Sequence, residues 1–321
     1  MKKLHALLSA GFLSCLAAGP ALASGFPVSV ESCGRTVTFD RAPTRAISHD
    51  LNMSEMMFAL GLQDHMAGLT GITGWYKMTE SFKAAMGTLP ELAPKTPNVE
   101  ALLSVNPDFF FAGWNYGMKP GGPVTPDTLG TFGIPVYELT ESCIHLDKNR
   151  PRVSMDTMYT DVLNIGKIFG RGEQAQALVD GWRERIDAVK AARVGGLAPR
   201  VFLYDSGEEK PFTAGKFAMP TAMIEAAGGR NVMDDVETSW GRVNWETVAD
   251  RNPEFIILVD YQNETHWQDL WSFLEGHPAM SVTDAVKNKR YLRLKYAEIT
   301  PGPANIEAVE KLAAALKGAS G

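Results

Sequence analysis

The chain has 321 residues, of which 45% are hydrophobic and 21% are charged, and this is the composition of an ordinary globular protein. Its length predicts about two domains, because a single hydrophobic core stops growing near roughly 250–300 residues. The net charge of −6 argues against a nucleic-acid-binding surface or attraction to anionic lipid, and a total of three cysteines excludes a cysteine-rich metal site.

Residues 1–23 have the pattern of a secretory signal peptide. Two lysines follow the first methionine, and an uncharged, largely apolar run from Leu4 to Ala18 is too short for a comfortable membrane span. A small-x-small motif ends at Ala23, so we expect cleavage after this residue and export of the mature protein. Lipid anchoring through Cys15 is the alternative, but the residues before it fit a lipoprotein motif badly.

Cys33 and Cys143 remain after this cleavage. In an oxidising compartment, an even number of cysteines suggests a disulfide. The alternative is a pair of buried thiols that never meet.

Strand and helix patterns alternate along the mature chain. In the first half, strands are predicted at 45–48, 66–69, 109–112 and 136–138, with helices at 53–60, 99–104 and 126–132. In the second half, strands are predicted at 200–204, 255–259 and 291–294, with helices near 221–227, 246–251, 267–273 and 306–316. This alternation predicts an α/β fold with mostly parallel sheets that are covered on both faces.

A long helical stretch separates the two halves. Ser154 is placed to cap a helix over 155–168, and a Gly-Arg-Gly sequence breaks it before a second helix over 173–193. Leu178, Trp182, Ile186 and Val189 form one apolar stripe on this second helix. A helix of this length between two lobes would limit their relative movement.

One segment occurs twice, 146 residues apart. Both copies contain a short helix, an Asn-Pro turn and an apolar strand, over residues 98–111 and 244–257. The repeat predicts two lobes of similar construction. Five positions are identical in the two copies, namely Asn98/Asn244, Glu100/Glu246, Asn106/Asn252, Pro107/Pro253 and Phe109/Phe255.

The common enzyme motifs are absent from the sequence. It has no Walker A loop and no G-x-S-x-G elbow. We therefore predict no catalytic residues, no metal ligands, no protein-bound cofactor and no enzymatic activity. The mature histidines lie far apart in sequence, without the spacing of a metal site; they are His49, His65, His145, His266 and His277.

Aromatic residues cluster where predicted strands end. Ligands of open parallel sheets bind outside the carboxyl ends of the strands, and Trp and Tyr offer flat apolar area with a hydrogen-bonding group. Packing within loops is the alternative role for each of these rings. The predicted ligand-binding residues are Trp75, Tyr76, Trp114, Tyr116, Tyr204, Trp240, Arg242, Tyr261 and Tyr296.

Several segments resemble the periplasmic substrate-binding proteins of iron-chelate and vitamin B12 ABC importers. The resemblance implies two Rossmann-like lobes joined by a single long backbone helix, with ligand in the cleft between them. It divides the chain into a lobe at 24–153, connecting helices at 154–196 and a lobe at 197–321. The matching segments are VTFDRAPTRAI (37–47), EMMFALGL (55–62), NVEALLSVNPD (98–108), AAGGRNV (226–232), VNWE (243–246) and NPE (252–254).

Glu100 and Glu246 occupy the first turn of the repeated helix. From the residues alone, the favoured role is stabilisation of the helix start, because the helix dipole attracts an acid there. In the family that the sequence resembles, one surface Glu in each lobe contacts arginines of the permease. The resemblance therefore implies that Glu100 and Glu246 are permease-docking residues.

The functional hypothesis from the sequence is a monomeric periplasmic protein that captures a ferric siderophore and delivers it to an inner-membrane ABC permease. The siderophore's own oxygens would hold the iron. A corrinoid or haem ligand on the same scaffold is the second hypothesis. A bare-metal binder and a metalloenzyme on a similar two-lobed fold are disfavoured, because the required Cys or His ligands are not arranged in the sequence.

Overall fold

The computed structural model describes residues 25–74, 78–192, 197–261 and 267–319. The predicted signal peptide, Cys15 and two of the predicted ligand-binding residues, Trp75 and Tyr76, lie outside these ranges.

The first lobe is built on a parallel sheet. The strands are β1 (Val28–Ser32), β2 (Arg35–Phe39), β3 (Ala46–His49), β4 (Met66–Thr70), β5 (Glu91–Ala93), β6 (Phe109–Trp114), β7 (Gly117–Met118) and β8 (Val136–Glu138). The strand order in the sheet is β5-β4-β3-β6, and both β7 and β8 pair with β6. An antiparallel hairpin of β1 and β2 precedes the sheet. The helices are α1 (Leu51–Ala59), α2 (Glu80–Met86), α3 (Val99–Leu103) and α4 (Pro126–Gly130), with 3₁₀ turns at Gln63–His65 and Thr140–His145.

Two helices lead from the first lobe to the second, α5 (Met155–Ile168) and α6 (Gly172–Ala191). Both helices were predicted, α5 with these bounds and α6 over 173–193, so α6 begins one residue earlier and ends two residues earlier than predicted. The 20 residues of α6 span about 30 Å at 1.5 Å per residue. Arg185 on α6 forms a two-pronged ion pair with Glu310, at 2.8 and 2.7 Å, and this pair joins α6 to the second lobe.

The second lobe repeats the plan with a four-stranded parallel sheet and a small antiparallel pair. The strands are β9 (Arg200–Tyr204), β10 (Phe212–Ala214), β11 (Arg230–Asn231), β12 (Trp240–Arg242), β13 (Phe255–Asp260) and β14 (Tyr291–Lys295). The parallel sheet has the order β11-β9-β13-β14, and β10 and β12 form the antiparallel pair. The helices are α7 (Met219–Ala227), α8 (Trp245–Asp250), α9 (Trp267–Gly276), α10 (Asp284–Lys287), α11 (Tyr296–Ile299) and α12 (Ala304–Ala319).

The sequence repeat has a structural counterpart in the two sheets. After each Asn-Pro turn, an acidic side chain accepts a hydrogen bond from the backbone at the start of the neighbouring strand. Asp108 Oδ1 accepts from the Arg45 N–H at 2.8 Å, and Glu254 Oε2 accepts from the Arg200 N–H at 2.9 Å. The repeated acid therefore ties together equivalent pairs of parallel strands, β3 with β6 and β9 with β13.

One hydrophobic core passes through both lobes and the connecting helices. It contains Phe109 from the first lobe, Ile165 and Ile186 from α5 and α6, and Leu203 from the second lobe, all buried. Because packed cores resist deformation, this continuity limits rotation of one lobe against the other. Separate cores cover the outer faces of the two sheets.

Short strands are the main elements that the sequence did not predict. The hairpin β1-β2 and the strands β5, β7, β10, β11 and β12, which have two to five residues each, were not predicted, and neither were the short helices α2, α10 and α11. Apolar patterns of this length are ambiguous between strand and loop, so only some of the short strands, such as β8, were predicted. Helix α1 begins at Leu51, two residues earlier than predicted, because the Asp50 side chain accepts a hydrogen bond from the Leu51 N–H. None of the helices in the described ranges is both long and apolar enough to span a membrane.

Cys33 and Cys143 form a disulfide that joins the β1-β2 turn to the 3₁₀ turn Thr140–His145, as predicted. The bond closes a loop with a sequence separation of 110 residues, and loops of this length restrict the unfolded chain strongly.

The double variant Cys33→Ala/Cys143→Ala is expected to lose about 2–4 kcal/mol of unfolding free energy. Urea denaturation followed by circular dichroism would measure the loss. Reductant should lower the midpoint of the wild-type protein towards that of the variant and leave the variant unchanged. If the urea midpoint of the wild-type protein is unchanged by reductant, under conditions in which both thiols become alkylated, the disulfide does not have this stabilising role.

Candidate functional site

A cavity of about 430 Å³ lies between the two lobes. Both lobes contribute to its wall, and the mixture of rings, carboxylates and imidazoles suits a ligand with both apolar and polar parts. The lining residues are His49, Asp50, Thr96, Asn115, Tyr116, Gly117 and His145 from the first lobe, and Asp205, Phe212, Trp240, Tyr261, Tyr296 and Thr300 from the second.

The ends of five parallel strands explain why these side chains meet. The first residue after β3, β6, β9, β13 and β14 is in each case a lining residue, namely Asp50, Asn115, Asp205, Tyr261 and Tyr296. The carboxyl ends of parallel strands lie at one edge of a sheet, and in this protein the two such edges face the same cavity.

Two Asp–Tyr pairs lie in the cavity lining. Tyr261 Oη donates to Asp205 Oδ2 at 2.6 Å within the second lobe. Tyr296 Oη donates to Asp50 Oδ2 at 2.9 Å, and this bond joins the second lobe to the first. The two tyrosine rings are neighbours, with centroids 5.5 Å apart. The pairs hold the phenol groups in place, so the rings form a pre-arranged apolar surface.

A buried carboxylate joins the lobes beside this surface. Glu141 Oε1 accepts hydrogen bonds from Tyr116 Oη at 3.1 Å and Ser239 Oγ at 2.9 Å, and Oε2 accepts from the Met219 N–H at 2.8 Å. Tyr116 belongs to the first lobe, whereas Ser239 and Met219 belong to the second. Burial raises the pKa of Glu141 to about 7, although these hydrogen bonds act in the opposite direction.

His49 is held between two glycines at the end of β3. A Cβ at Gly117 would lie 2.7 Å from His49 Cγ, and one at Gly71 would collide with the same ring. His49 Nδ1 lies 2.8 Å from Thr70 Oγ1, which fixes the ring orientation. Burial lowers the pKa of His49 to about 3, so the imidazole is neutral over the physiological range.

A second imidazole, His145, faces the cavity from the end of the 3₁₀ turn that carries Cys143. Asn115 Nδ2 lies 3.1 Å from its Nε2. Burial lowers the pKa of His145 below its ordinary value, so this ring is also neutral at pH 7.

The structure brings four of the predicted aromatic residues to the cavity: Tyr116, Trp240, Tyr261 and Tyr296. Trp240 stacks on Phe212, with ring centroids 5.9 Å apart and planes 23° from parallel. This pair is part of the cavity wall that the second lobe contributes.

Trp114 and Tyr204, two other predicted ligand-binding residues, lie in the cores rather than at the cavity. Trp114 is 5% exposed and donates its indole N–H to Glu138 Oε1 at 2.7 Å. Tyr204 is 1% exposed and packs edge-on against Trp245. Each is the last residue of its strand, and successive strand residues alternate in direction, so the following residue faces the cavity instead.

Arg242 lies outside the cavity lining. Its guanidinium donates to the Lys210 carbonyl at 2.8 Å and lies 5.8 Å from the centroid of the Phe212 ring. It supports the cavity wall through Phe212, and its charge lowers the pKa of Asp205, an effect smaller than that of burial.

The sequence interpretation missed the polar residues of the lining. Asp50, Asn115 and Asp205 follow strands directly, so the rule that selected aromatic residues after strands would have found them without the restriction to aromatic type. His49 directly follows the strand predicted at 45–48 and would have been found in the same way, whereas no sequence signal indicated Thr96, His145, Phe212 or Thr300.

Glu100 and Glu246 are exposed, each as the second residue of its helix, α3 or α8. They occupy equivalent places in the two lobes because both helices belong to the repeated segment. Their carboxylates are accessible to a partner.

A model of the family described as periplasmic binding protein matches residues 47–297. The chain belongs to this family. The match spans both lobes and the connecting helices, and includes every lining residue of the cavity except Thr300.

Relatives of this chain within the periplasmic binding proteins include solved structures. A periplasmic binding protein from Veillonella parvula superimposes with a TM-score of 0.79 at 29% identity, covering 91% of this chain and 97% of that chain. A structure from Saccharomonospora viridis, described as an ABC-type Fe³⁺-hydroxamate transport system, has a TM-score of 0.76 at 22% identity, covering 91% and 99%. These structures confirm the predicted two-lobed α/β fold.

A curated relative is the cobalamin-binding protein of Halobacterium salinarum. It is 27% identical over 240 residues, which make up 73% of this chain and 59% of that protein. The chain therefore spans about three fifths of the length of this relative.

Proposed function

We propose that this protein is the solute-binding component of an ABC importer, which captures an organic metal chelate in the inter-lobe cavity and presents it to a membrane permease. The observation that carries the proposal is the cavity itself, where the carboxyl ends of both parallel sheets meet and rings from both lobes form the wall. Membership of the periplasmic binding proteins supports export to the periplasm after cleavage of residues 1–23.

The lining favours a chelate over a bare ion. In the described ranges, no group of three or more His, Cys, Asp or Glu side chains is placed to hold a metal ion. The rings of Trp240, Tyr261 and Tyr296 offer instead the flat apolar area that an organic ligand requires. The donors that hold the metal would thus belong to the ligand.

A ferric siderophore and a corrinoid are the two ligand classes that we propose. The siderophore is the hypothesis from the sequence, and the aromatic cavity supports it. The corrinoid is favoured by a specific observation, the 27% identity to a cobalamin-binding protein. In either case the continuous core favours limited closure of the lobes around the ligand.

Titration of the mature protein would test the proposal. Isothermal calorimetry with a ferric hydroxamate siderophore, a ferric catecholate siderophore, cyanocobalamin, haemin and free Fe³⁺ and Zn²⁺ should show saturable binding of one chelate class. Tight binding of a bare ion, with none for any chelate, would overturn it.

Trp240→Ala is expected to weaken chelate binding by about 1–3 kcal/mol, because the variant removes a large ring from the cavity wall. Trp182 on α6 is a matched control, since it is also half-buried but stacks on Tyr159 away from the cavity. Trp182→Ala should leave the affinity unchanged in the same calorimetric titration. Equal losses in the two variants would show that Trp240 acts only through general packing.

A further inference from the structure

The charged side chains that line the cavity are all acidic in the described part of the chain. Asp50 and Asp205 are 3% and 4% exposed, one in each lobe. The two lining histidines, His49 and His145, are neutral at pH 7 because burial lowers the pKa of each. Among the described residues, no Lys or Arg side chain belongs to the lining.

Arg242, a basic side chain beside this lining, is already engaged. Arg242 is exposed, donates to the Lys210 carbonyl and stacks over Phe212, as described above. Its charge acts on Asp205, but burial dominates and the pKa of that carboxyl is raised overall. Arg242 therefore offsets part of the negative charge of Asp205. In this geometry its guanidinium does not point two N–H donors at a ligand in the cavity.

Further carboxyl groups lie behind the lining. Glu141 is buried next to Tyr116, and Glu55 lies on α1 close to Asp50. Burial and the neighbouring carboxylates of Asp50 and Glu298 raise the pKa of Glu55 to about 7, whereas Lys295 acts in the opposite direction. Asp50 and Asp205 therefore carry the acidity of the lining itself, and Glu141 and Glu55 add negative charge behind it only as they lose their protons near pH 7.

A cavity lined by acids discriminates between ligands by their charge and their hydrogen-bond donors. An anionic group that enters the cavity loses its hydration and gains no cationic partner from the described lining, so its burial is costly. A neutral ligand with peripheral N–H or O–H groups, or a cationic ligand, can donate to the carboxylates of Asp50 and Asp205 instead.

We propose that the inter-lobe cavity selects metal chelates of zero or positive net charge that carry hydrogen-bond donors, and rejects chelates that carry free carboxylates or catecholate anions. This inference rests on the proposed function, because it assigns a charge class to the chelate that the cavity captures. Asp50 and Asp205 are its specificity-determining residues.

Two matched ligand pairs test the charge selection by calorimetry at fixed pH 7.5 and at two salt concentrations. One pair is cyanocobalamin and its monocarboxylic acid, which has one peripheral amide hydrolysed. The other is ferrioxamine B, with a free ammonium group, and its N-succinyl derivative, which ends in a carboxylate. In whichever pair binds, the anionic member should bind at least about 10-fold more weakly, and the difference should shrink at high salt.

In the double variant Asp50→Asn/Asp205→Asn, the ratio of affinities between the two members of a pair should fall at least about 5-fold. The variant removes both lining charges and keeps an oxygen acceptor at each position. Asp127→Asn/Asp269→Asn is the matched control, with one exposed carboxylate removed from each lobe outside the cavity lining, and should keep the wild-type difference. The wild-type comparison stands even if the cavity variant folds poorly.

Equal or tighter binding of the anionic member of a pair would overturn the charge selection and leave the proposed function intact. Failure of every chelate in the wider titration described above, anionic ones included, would overturn the proposed function and this inference with it. An affinity ratio that is unchanged in Asp50→Asn/Asp205→Asn would show that these two residues do not cause the charge selection.

Discussion

Glu141→Ala should lower the free energy of unfolding at pH 5 by about 3 kcal/mol. The substitution leaves three buried donors without their acceptor, namely Tyr116 Oη, Ser239 Oγ and the Met219 N–H, and each such loss costs about 1 kcal/mol or more. Two of the donors belong to the second lobe, so the variant also loosens the junction of the lobes beside the cavity. Urea unfolding followed by circular dichroism would measure the change.

The same carboxyl group predicts how stability depends on pH. The pKa of Glu141 rises from 4.5 in the unfolded chain to about 7 in the fold, so the folded state holds the proton over a range in which the unfolded state has lost it. His49, with its pKa lowered to about 3, acts in the opposite direction below pH 6.5, but Glu141 itself contributes stability that falls as the pH rises from about 4.5 to 7. Asp161 and Glu55 act in the same direction, since burial raises the pKa of each to about 7.

Glu141→Gln should make this decline shallower, because one of the three titrating groups is gone while the side chain keeps its size. Glu275→Ala is the control for both measurements: it removes an exposed helical carboxylate and should stay within about 0.5 kcal/mol of the wild type at every pH. A Glu141→Ala loss below about 1 kcal/mol at pH 5, or an unchanged slope in Glu141→Gln, would contradict the role assigned to this carboxyl.

The internal repeat made the architecture predictable. Asn106 and Asn252 precede the repeated prolines, and both adopt the left-handed backbone region, with φ of 45° and 42°. A polar side chain that tolerates this conformation, followed by proline, ends the helix and turns the chain into a strand at the same place in each lobe. The Asn-Pro turn depends only on residues that are adjacent in the chain, so it can be recognised from the sequence alone.

The cavity lining was predictable only in part, because a shift of one residue in where a strand ends decides which side chain lines the cavity. Trp114 and Tyr204 are the last residues of β6 and β9 and point into the cores, whereas Tyr261 and Tyr296 come one residue after β13 and β14 and line the cavity. Strand ends are fixed by pairing with distant segments, which an apolar pattern does not record.

Residues from distant loops were beyond prediction for the same reason. His145 reaches the cavity on a turn that the disulfide to Cys33 ties down, and Phe212 reaches it on a strand of three residues. Their positions follow from tertiary contacts and from no local pattern.

Charge reversal at both lobes, Glu100→Lys/Glu246→Lys, should reduce chelate uptake by at least about 100-fold in cells that depend on this protein. We propose that these two exposed carboxylates accept arginine side chains of the permease, and loss of two charge-assisted pairs, with repulsion in their place, corresponds to such a factor. Neither residue lines the cavity, so the purified variant should bind chelate with wild-type affinity.

The single reversals make this prediction sharper, because the two sites are equivalent. Glu100 and Glu246 each occupy the first turn of a repeated helix, so each would anchor one lobe, and either single reversal should leave an intermediate uptake rate. Glu184→Lys/Glu275→Lys makes the same charge change at exposed positions on α6 and α9 and should transport normally, which separates specific docking from a general effect of net charge. Normal uptake by the Glu100→Lys/Glu246→Lys protein would contradict the docking role. The remaining role of both residues would then be stabilisation of a helix start by the helix dipole, worth about 0.3–1 kcal/mol.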